Sequence, residues 1–349
     1  MKTKYYIRDN MLKEEELEEI IAAYKAGEVI AFPTETVYGL GANIFCDEAI
    51  KKIYQAKRRP MDNPLIAHIG KLEDVEKIAS LIPAKARKLM EVFWPGPLTI
   101  VLKKKELVSS LATAGLDTIG IRMPDHPLTE SILVKGDLIL VAPSANLSGS
   151  PSPTSFKHVK EDLDGKIYGI IDGGNCEEGI ESTIIDLTEE IPLILRPGTI
   201  TKEEIEEEIG KVAFDQALFT KEVVKAKAPG MKYKHYAPKA KVYIIKEKED
   251  IENILTEVAK SSLGEQTKAL ICFRENYGAY LALDFTEKII IGDKSNIKEA
   301  IRNLYRILRD CDILGIENIF IEETEEKGLG FSYMNRLKKA GSYNFLKRS

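Results

Sequence analysis

The sequence has few of the residues that build metal sites and covalent crosslinks. Its 349 residues include four histidines and four cysteines, and the cysteines are Cys46, Cys176, Cys272 and Cys311. These cysteines lie far apart and none belongs to a C-x-x-C pair. We therefore expect neither a structural zinc site nor a disulfide framework, and a reducing compartment suits the chain best.

Long apolar runs and an excess of one charge are also missing. No apolar run approaches the roughly 18 residues that a membrane-spanning helix needs, and the charged segment Met1 to Glu19 lacks the apolar centre of a secretion signal. Fifty Lys and Arg stand against 55 Asp and Glu, so the net charge of −5 argues against a generic polyanion-binding protein. We expect a soluble, cytoplasmic protein.

Several common catalytic and nucleotide-binding motifs are absent from the sequence. There is no G-x-x-x-x-G-K-[ST] phosphate loop, no H-E-x-x-H helix and no G-x-S-x-G turn. Gly39-Leu40-Gly41 and Gly328-Leu329-Gly330 both lack the third glycine of the dinucleotide fingerprint. Any nucleotide site in this chain must therefore use another scaffold.

Length and hydrophobic periodicity predict two α/β domains. Up to about residue 200, short apolar runs typical of strands outnumber amphipathic helices, which favours a mixed sheet with flanking helices. The breakers Ala228-Pro229-Gly230 and Ala237-Pro238 then interrupt the pattern. Beyond them strands and helices alternate, as in a small doubly wound domain. We predict domains at 1–209 and 241–349, joined by a linker at 210–240.

The same pattern gives the individual elements. In the first domain a helix follows Asp47 and is closed by Pro60. The other predicted helices cover residues 11–25, 73–93, 201–209, 251–259, 297–308 and 332–339. The predicted strands cover residues 29–32, 65–69, 98–102, 118–121, 138–142, 167–171, 183–187, 242–245, 269–273, 288–291 and 319–321.

Many of the predicted strands of the first domain run into polar or cationic loops, where ligands of open α/β sheets bind. Each residue alone has a plainer explanation. Lys57 and Arg58 suit the end of a helix dipole, a strand histidine such as His68 is more often a core residue, and Ser144 and Asn146 suit local turns. Together they predict an anion-binding pocket without an acidic metal cluster or a base-activated nucleophile. The residues concerned include Thr36, Lys57, Arg59, Asn63, His68, Arg122, Ser144, Asn146, Ser182 and Arg196.

Five motifs in the first domain together resemble one enzyme family, the L-threonylcarbamoyladenylate synthases. They are PTETVYGLG (33–41), KRRPMDNPL (57–65), SANLSGSPSPTS (144–155), ESTIIDL (181–187) and LRPG (195–198). The linker string APGMKYKHYAP (228–238) and the ending GLGFSYMNRLKKAG (328–341) resemble the longer, two-domain Sua5 form rather than the single-domain YrdC form. The resemblance covers nearly the whole chain. It implies a YrdC-like twisted mixed sheet with flanking helices and a smaller Rossmann-like doubly wound C-terminal domain.

The resemblance implies a nucleotidyl transfer that makes threonylcarbamoyl-AMP. L-threonine, bicarbonate or CO2, and ATP would combine with release of pyrophosphate, and the product would feed the transferase machinery that makes the t6A base of tRNA. The carbamate of threonine would attack the α-phosphorus of ATP without a covalent enzyme intermediate. Catalysis would rest on positioning and on neutralising negative charge, for which arginine side chains are well suited.

By the same resemblance, specific residues take specific roles. The expected threonine-binding set is Thr36, His68, Arg122, Ala142 and Ser182, with Arg122 on the carboxylate. The expected ATP-binding set is Arg59, Asn63, Thr118, Ser144, Asn146, Ser152, Arg196 and Tyr236. Lys57 and Arg59 are the expected catalytic residues. Tyr236 and its neighbours in the linker would lie across the nucleotide as a lid.

Three further points follow from this comparison of motifs. Members of the family often carry a small or uncharged residue at the position of Arg58. Its side chain either adds positive potential to the site or points into solvent. Mg2+ would arrive with ATP and be held through its phosphates, since the sequence shows no acidic cage for a metal. Contacts with tRNA and the oligomeric state are not readable.

Two alternative functions are weighed against the synthase. The aromatic and basic segment Lys232 to Tyr236 and the basic C-terminus suit an RNA-binding module, although a solvated helix face is the better explanation of the charges. A carbamoyltransferase of the hydrogenase-maturation type carries a similar domain. That enzyme also needs cysteine-rich zinc segments and an acylphosphatase-like region, and neither is readable in this sequence.

Overall fold

The computed structural model describes residues 2–7, 11–219, 229, 236–245 and 266–345 of the chain. The chain forms two compact units. The first contains Met1–Ser148 and Ser152–Tyr233, and the second contains Gly149–Pro151 and Lys234–Ser349. None of the helices in these described ranges is long and apolar enough to cross a membrane.

The first unit is built on an eleven-stranded sheet in which parallel and antiparallel pairs are mixed. Its strands are β1 (Lys4–Ile7), β2 (Ile30–Phe32), β3 (Gly39–Asn43), β4 (Ile66–His68), β5 (Leu98–Lys103), β6 (Thr118–Arg122), β7 (Leu140–Ala142), β8 (Gly169–Asp172), β9 (Thr183–Asp186), β10 (Leu193–Arg196) and β11 (Ala213–Phe214). Their order across the sheet is β1-β8-β2-β3-β7-β4-β6-β5-β9-β10-β11.

Seven helices flank this sheet in the described part of the first unit. They span Glu14–Lys25, Asp47–Lys57, Asp74–Ile78, Ala84–Phe93, Pro127–Gly136, Phe156–Leu163 and Lys202–Ile209. The helical region predicted around residues 73–93 holds two helices, because the chain turns extended at Ala79 and Pro83 precedes the second one. The mixed sheet with flanking helices is confirmed.

The strands of the first unit that were not predicted include β11, inside the predicted linker, and two that the structure explains. The first, β1, has the mixed sequence KYYI and pairs with β8. The second, β3, is rich in glycine, which is unusual in strands. A Cβ atom added at Gly39 or Gly41 would lie 2.8 Å from the Phe32 ring, so glycine allows the ring to pack flat on this strand. That contact is a tertiary effect and leaves no periodicity in the sequence.

The central strands β4, β5 and β6 present different residues to the two faces of the sheet. Ile100, Ile119 and Ile121 belong to the large core of the first unit. The alternate residues Ile66 and Val101 belong to a separate small cluster with Ile184 and Leu195. Since successive side chains of a strand point to opposite faces, one face of these strands builds the main core. The other face, which we call the polar face, carries the small cluster together with Thr99, Thr118 and Arg122.

The second unit holds a four-stranded parallel sheet with the order β12-β15-β13-β14. Its strands are β12 (Lys241–Ile245), β13 (Lys268–Phe273), β14 (Glu287–Gly292) and β15 (Asn318–Glu322), and its described helices are Arg274–Tyr277, Ile297–Ile313 and Leu329–Ala340. The long helix Ile297–Ile313 buries one face that includes Ile301, Leu304 and Leu308. The predicted helix at 251–259 lies outside the described residues. The smaller doubly wound α/β domain is confirmed.

The segment 210–240, predicted as the linker, is only partly described. Ala213–Phe214 pairs with Leu193–Ile194 and extends the sheet of the first unit. Residues 236–240 lie in the second unit. The predicted domain boundaries at 209 and 241 therefore stay predictions.

Candidate functional site

The buried guanidinium of Arg122 lies at the centre of the polar face of the first unit. Arg122 ends β6 and is 4% exposed. Its Nη1 donates to Thr36 Oγ1 at 2.7 Å, its Nε donates to Gly96 O at 3.3 Å, and its Nη2 lies 2.6 Å from Glu35 Oε2. A guanidinium carries five N–H donors, so these three contacts leave donors for an anionic ligand.

The turn that follows β2 holds Thr36 against this arginine. Thr34 Oγ1 donates to the carbonyl oxygen of Val37 at 2.6 Å and lies 2.9 Å from Thr36 Oγ1. Side-chain to backbone bonds of this kind fix a tight turn. Thr36 is fully buried, and its hydroxyl is therefore placed at the arginine by a turn that is defined within four residues.

Glu35 in this turn was not among the predicted site residues. It is 7% exposed, and Asp125 N donates to its Oε2 at 3.1 Å. Its Oε1 has no hydrogen-bond partner among the described residues. The motif PTETVYGLG contains this carboxylate, but its pairing with an arginine on β6 depends on the tertiary fold.

His68 lies beside Arg122 because β4 and β6 are parallel and pair His68 with Arg122. Its Nδ1 is 3.0 Å from the carbonyl oxygen of Ile66, and since a carbonyl only accepts, Nδ1 carries the proton. Burial, together with the charge of Arg122, lowers the pKa of His68 to about 3. The imidazole is therefore neutral near pH 7, and its Nε2 offers a lone pair to a donor.

Ser182 lies next to the start of β9, where it is held by Arg196. The Nε and Nη2 atoms of Arg196 donate to the carbonyl oxygen and the Oγ of Ser182, both at 3.0 Å. Thr99 Oγ1 on β5 lies 2.8 Å from the same Oγ. Gly198 permits this arrangement, because a Cβ there would lie 2.3 Å from the backbone nitrogen of Thr183. Ser182 and Arg196, predicted for different substrates, thus form one buried group.

Lys57 and the loop after β7 form another buried group. Lys57 is 1% exposed, and its Nζ donates to the carbonyl oxygens of Ser144 and Asn146, both at 2.5 Å. It also lies 3.3 Å from Asn146 Oδ1, and Ser144 Oγ donates to that same oxygen at 2.5 Å. An ammonium has three donors, and three protein acceptors surround this one. In this structure Lys57 fixes the shape of the loop, and its catalytic role stays a prediction.

Arg59 and Asn63 lie in the segment that leads into β4. Arg59 Nη2 donates to the carbonyl oxygens of Asn63 at 3.3 Å and Pro64 at 3.1 Å. Asn63 is 1% exposed, and its Oδ1 has no hydrogen-bond partner among the described residues. Arg58 just before them has a left-handed backbone at φ 53° and ends the helix. Arg59 and Asn63 thus lie together at the N-terminal end of β4, and their contacts with ATP stay a prediction.

A pocket on the polar face of the sheet adjoins these groups. Its empty space, part of which is open solvent, is about 260 Å3. It is lined by Pro64, Leu65, Ile66, Thr99, Val101, Thr118, Ile119, Gly120, Ile184 and Pro229. Thr118, Gly120 and Arg122 alternate along β6 and therefore share this face. Register places Ile66 beside both Gly120 and Ala142, so the predicted Ala142 borders the same strands.

Two predicted ATP-binding residues, Ser152 and Tyr236, contact residues outside the groups described above. Ser152 is buried and its Oγ donates to Glu181 Oε1 at 2.5 Å, next to Ser182 in the chain. Tyr236 lies in the second unit, where its ring stacks on Tyr305 at 5.3 Å and the guanidinium of Arg336 lies 5.4 Å from the ring centre. The described residues show how the second unit holds Tyr236.

The described residues contain no group of three or more His, Cys, Asp and Glu side chains arranged to hold a metal ion. What the polar face of the first unit offers instead is a buried arginine, Arg122, beside the carboxylate of Glu35 and neutral donors and acceptors. Such a set suits carboxylate, carbamate and phosphate groups.

Comparisons with known proteins identify the family. A family model described as telomere recombination, named Sua5_yciO_yrdC, matches residues 22–198. A second model, the threonylcarbamoyl-AMP synthase C-terminal domain, matches residues 200–342. The chain belongs to the Sua5/YrdC family of threonylcarbamoyl-AMP synthases. It is an enzyme of the nucleotidyltransferase type.

Relatives cover nearly the whole chain. A threonylcarbamoyl-AMP synthase of Pyrococcus abyssi is 47% identical over 323 residues, which are 93% of each chain. One of Bacillus subtilis is 42% identical over 346 residues, covering 97% of this chain and 98% of the relative. The crystal structure of P. abyssi Sua5 complexed with L-threonine matches with a TM-score of 0.91 and 44% identity, covering 99% of both chains. The predicted two-domain Sua5 form is thereby confirmed.

Proposed function

We propose that this chain condenses L-threonine, bicarbonate or CO2, and ATP into threonylcarbamoyl-AMP and pyrophosphate, on the polar face of the first unit. Family membership supports the reaction, and a threonine complex is known for a relative that matches 99% of the chain. The observation that carries the proposal for this chain is the buried group around Arg122 at the end of β6. The product would serve t6A formation in tRNA.

The group around Arg122 suits threonine. Arg122 would bind the α-carboxylate, since a guanidinium matches a carboxylate with two parallel N–H donors. His68 would accept a hydrogen bond from the substrate at Nε2, because its Nδ1 already donates to Ile66. Thr36, Ala142 and Ser182 would complete the pocket, and the low pKa of His68 keeps this site from gaining a second positive charge at neutral pH.

ATP would occupy the neighbouring part of the same face. Thr118 lines the 260 Å3 pocket, whose other walls are largely apolar and therefore suit a base or ribose. Arg59 and Arg196 would neutralise phosphate charge, and Asn63, Ser144, Asn146 and Ser152 would add polar contacts. The carbamate oxygen of threonine would then attack the α-phosphorus while pyrophosphate leaves. Positioning and charge neutralisation would supply the rate enhancement.

Mg2+ would accompany the nucleotide. This cation is commonly bound through substrate phosphates and water together with few protein ligands, which agrees with arginine and hydroxyl groups beside a largely apolar pocket. The ion would neutralise charge on the leaving pyrophosphate.

The test of this proposal is release of pyrophosphate from ATP by the full chain, with and without L-threonine and bicarbonate. Release that needs both additions is the expected result, and release without threonine would contradict the proposal. Arg59→Ala should cut turnover by about 100-fold or more, as expected when a group that neutralises transition-state charge is lost. Arg87→Ala is the matched control, because Arg87 is 63% exposed and pairs only loosely with Glu76 at 3.7 Å.

The linker at 210–240 and Tyr236 would serve as a lid over the nucleotide, and 241–349 as the domain that carries it. A chain without residues 228–349, tested in the same assay, should show a raised KM for ATP. Full activity in that shortened chain would contradict the lid.

A further inference from the structure

Glu35 is a buried carboxylate that neither the motifs nor the proposed substrate contacts assign. It lies in the turn after β2 and is 7% exposed. A carboxylate removed from water loses several kcal/mol of hydration unless charged or hydrogen-bonding partners replace it. Its burial beside the proposed threonine pocket therefore needs a charged or hydrogen-bonding partner that offsets the lost hydration.

The partner is Arg122. Glu35 Oε2 lies 2.6 Å from Arg122 Nη2, and both side chains are less than a tenth exposed. The other two contacts of the guanidinium, Thr36 Oγ1 and Gly96 O, are neutral. Glu35 thus supplies negative charge to a cation that would otherwise be buried with neutral partners while no substrate is bound.

Glu35 is itself held in place by the backbone. Asp125 N donates to the same Oε2 at 3.1 Å, and Asp125 lies three residues beyond Arg122 in the chain. One oxygen therefore joins the turn after β2 to the segment that follows β6. The other oxygen, Oε1, has no hydrogen-bond partner among the described residues. A buried carboxylate that is only half bonded is poor for stability alone, and such sites are more often explained by function.

We propose that Glu35 is a positioning residue for threonine: it fixes the plane of the Arg122 guanidinium for the substrate carboxylate and balances its charge in the empty pocket. The inference rests on the proposed threonine site. The ion pair leaves this part of the pocket without net charge, and free L-threonine is a zwitterion that also has none. Binding then needs no uncompensated charge in the low dielectric of the pocket.

Glu35→Gln tests the inference, since the amide keeps the shape and removes the charge. In the pyrophosphate assay we expect the KM for L-threonine to rise about 10-fold or more. A rise of that size is expected when the charge-assisted hydrogen bond between Arg122 and the substrate carboxylate is weakened. The KM for ATP should stay within about twofold. Glu28→Gln is the matched control, because Glu28 forms a more exposed ion pair with Lys52 at 2.9 Å, and it should change neither constant. Equal rises in both KM values, with a lowered melting temperature, would show a structural role and overturn the inference.

A double-mutant cycle separates this inference from the proposed function. If Glu35 acts through Arg122, adding Glu35→Gln to Arg122→Gln should raise the threonine KM no further. If the two effects multiply, Glu35 acts independently and the inference is wrong. If Arg122→Gln raises the KM and Glu35→Gln does not, the inference fails and the threonine site stands. If Arg122→Gln itself leaves the KM for threonine unchanged, the proposed site is wrong.

Discussion

Glu35 in the first unit and Glu322 in the second are both buried glutamates, but their surroundings differ. Glu322 ends β15 and accepts hydrogen bonds from Phe273 N at 2.7 Å, Asn276 Nδ2 at 2.6 Å and Tyr280 Oη at 2.7 Å. Both of its oxygens are bonded. Glu35 bonds through one oxygen only, and its partner is a cation placed to bind substrate.

This contrast extends to the two units. The buried side-chain atoms without a hydrogen-bond partner among the described residues include Glu35 Oε1, Asn63 Oδ1, His126 Nδ1 and Thr199 Oγ1, and all four lie in the first unit. Buried polar groups are normally bonded, and exceptions gather where a ligand is to bind. Among the described residues, Glu322 of the second unit is bonded through both oxygens, whereas Glu35 and Asn63 of the first unit each keep an atom without a partner.

The largest effect is expected from Glu322→Leu. It removes the acceptor of three donors, so we expect the second unit to lose about 3–5 kcal/mol of stability. Hydrogen exchange of the amides in β13 and β15 measures the loss. The KM for threonine should not change. Glu325→Leu is the control, because that side chain is 69% exposed. A loss below about 1 kcal/mol would break the comparison, since Glu322 would then be no more structural than a surface residue.

An intermediate effect is expected from His68 as the pH falls. Its folded pKa of about 3 lies below the value of about 6.5 in the unfolded chain, so between these values the unfolded state binds a proton and the folded state does not. The contribution of neutral His68 to the free energy of unfolding is therefore present above pH 6.5 and is lost as the pH falls from 6.5 towards 3. By pH 5 the loss should be about 2 kcal/mol.

Denaturant unfolding of the wild type and of His68→Gln at pH 7.5 and 5 checks this prediction. Burial also lowers the pKa of His126, so the variant should show a weaker pH dependence and not a flat one. An unchanged pH dependence in the variant would contradict a neutral, buried His68.

The smallest effect is expected from Asp117→Asn on the surface of the first unit. Asp117 Oδ2 pairs with Lys103 Nζ at 2.6 Å, but the two side chains are 76% and 45% exposed. Exposed pairs contribute little, so the free energy of unfolding should change by less than about 0.5 kcal/mol. A loss above 1 kcal/mol would mean that ion pairs in this unit stabilise the fold regardless of burial.

Periodicity predicted much of the fold. The run Ile119-Gly120-Ile121-Arg122 alternates apolar and non-apolar residues, and the structure gives it as β6 with the isoleucines in the core and Arg122 on the opposite face. Periodicity did not predict the glycine-rich β3, because its place in the sheet depends on the Phe32 ring that packs on Gly39 and Gly41. Local propensity does not report such contacts.

The site residues divide in the same way. Arg122, Thr36 and His68 were predicted together, and the structure places them together at the ends of β4 and β6. Glu35 was missed, although it stands inside a motif used for the prediction. Its significance depends on a side chain that approaches from a distant strand; Thr36 and Arg122 are themselves 86 residues apart. The sequence shows that Glu35 is present, and only the fold shows that it pairs with Arg122.

The most direct test of the central claim is a crystal structure of the full chain with L-threonine and a non-hydrolysable ATP analogue. We predict that the α-carboxylate of threonine lies within hydrogen-bond distance of Arg122, with His68 beside the ligand and the triphosphate at Arg59. Threonine bound away from Arg122, or nucleotide bound away from the polar face of the first unit, would contradict the account.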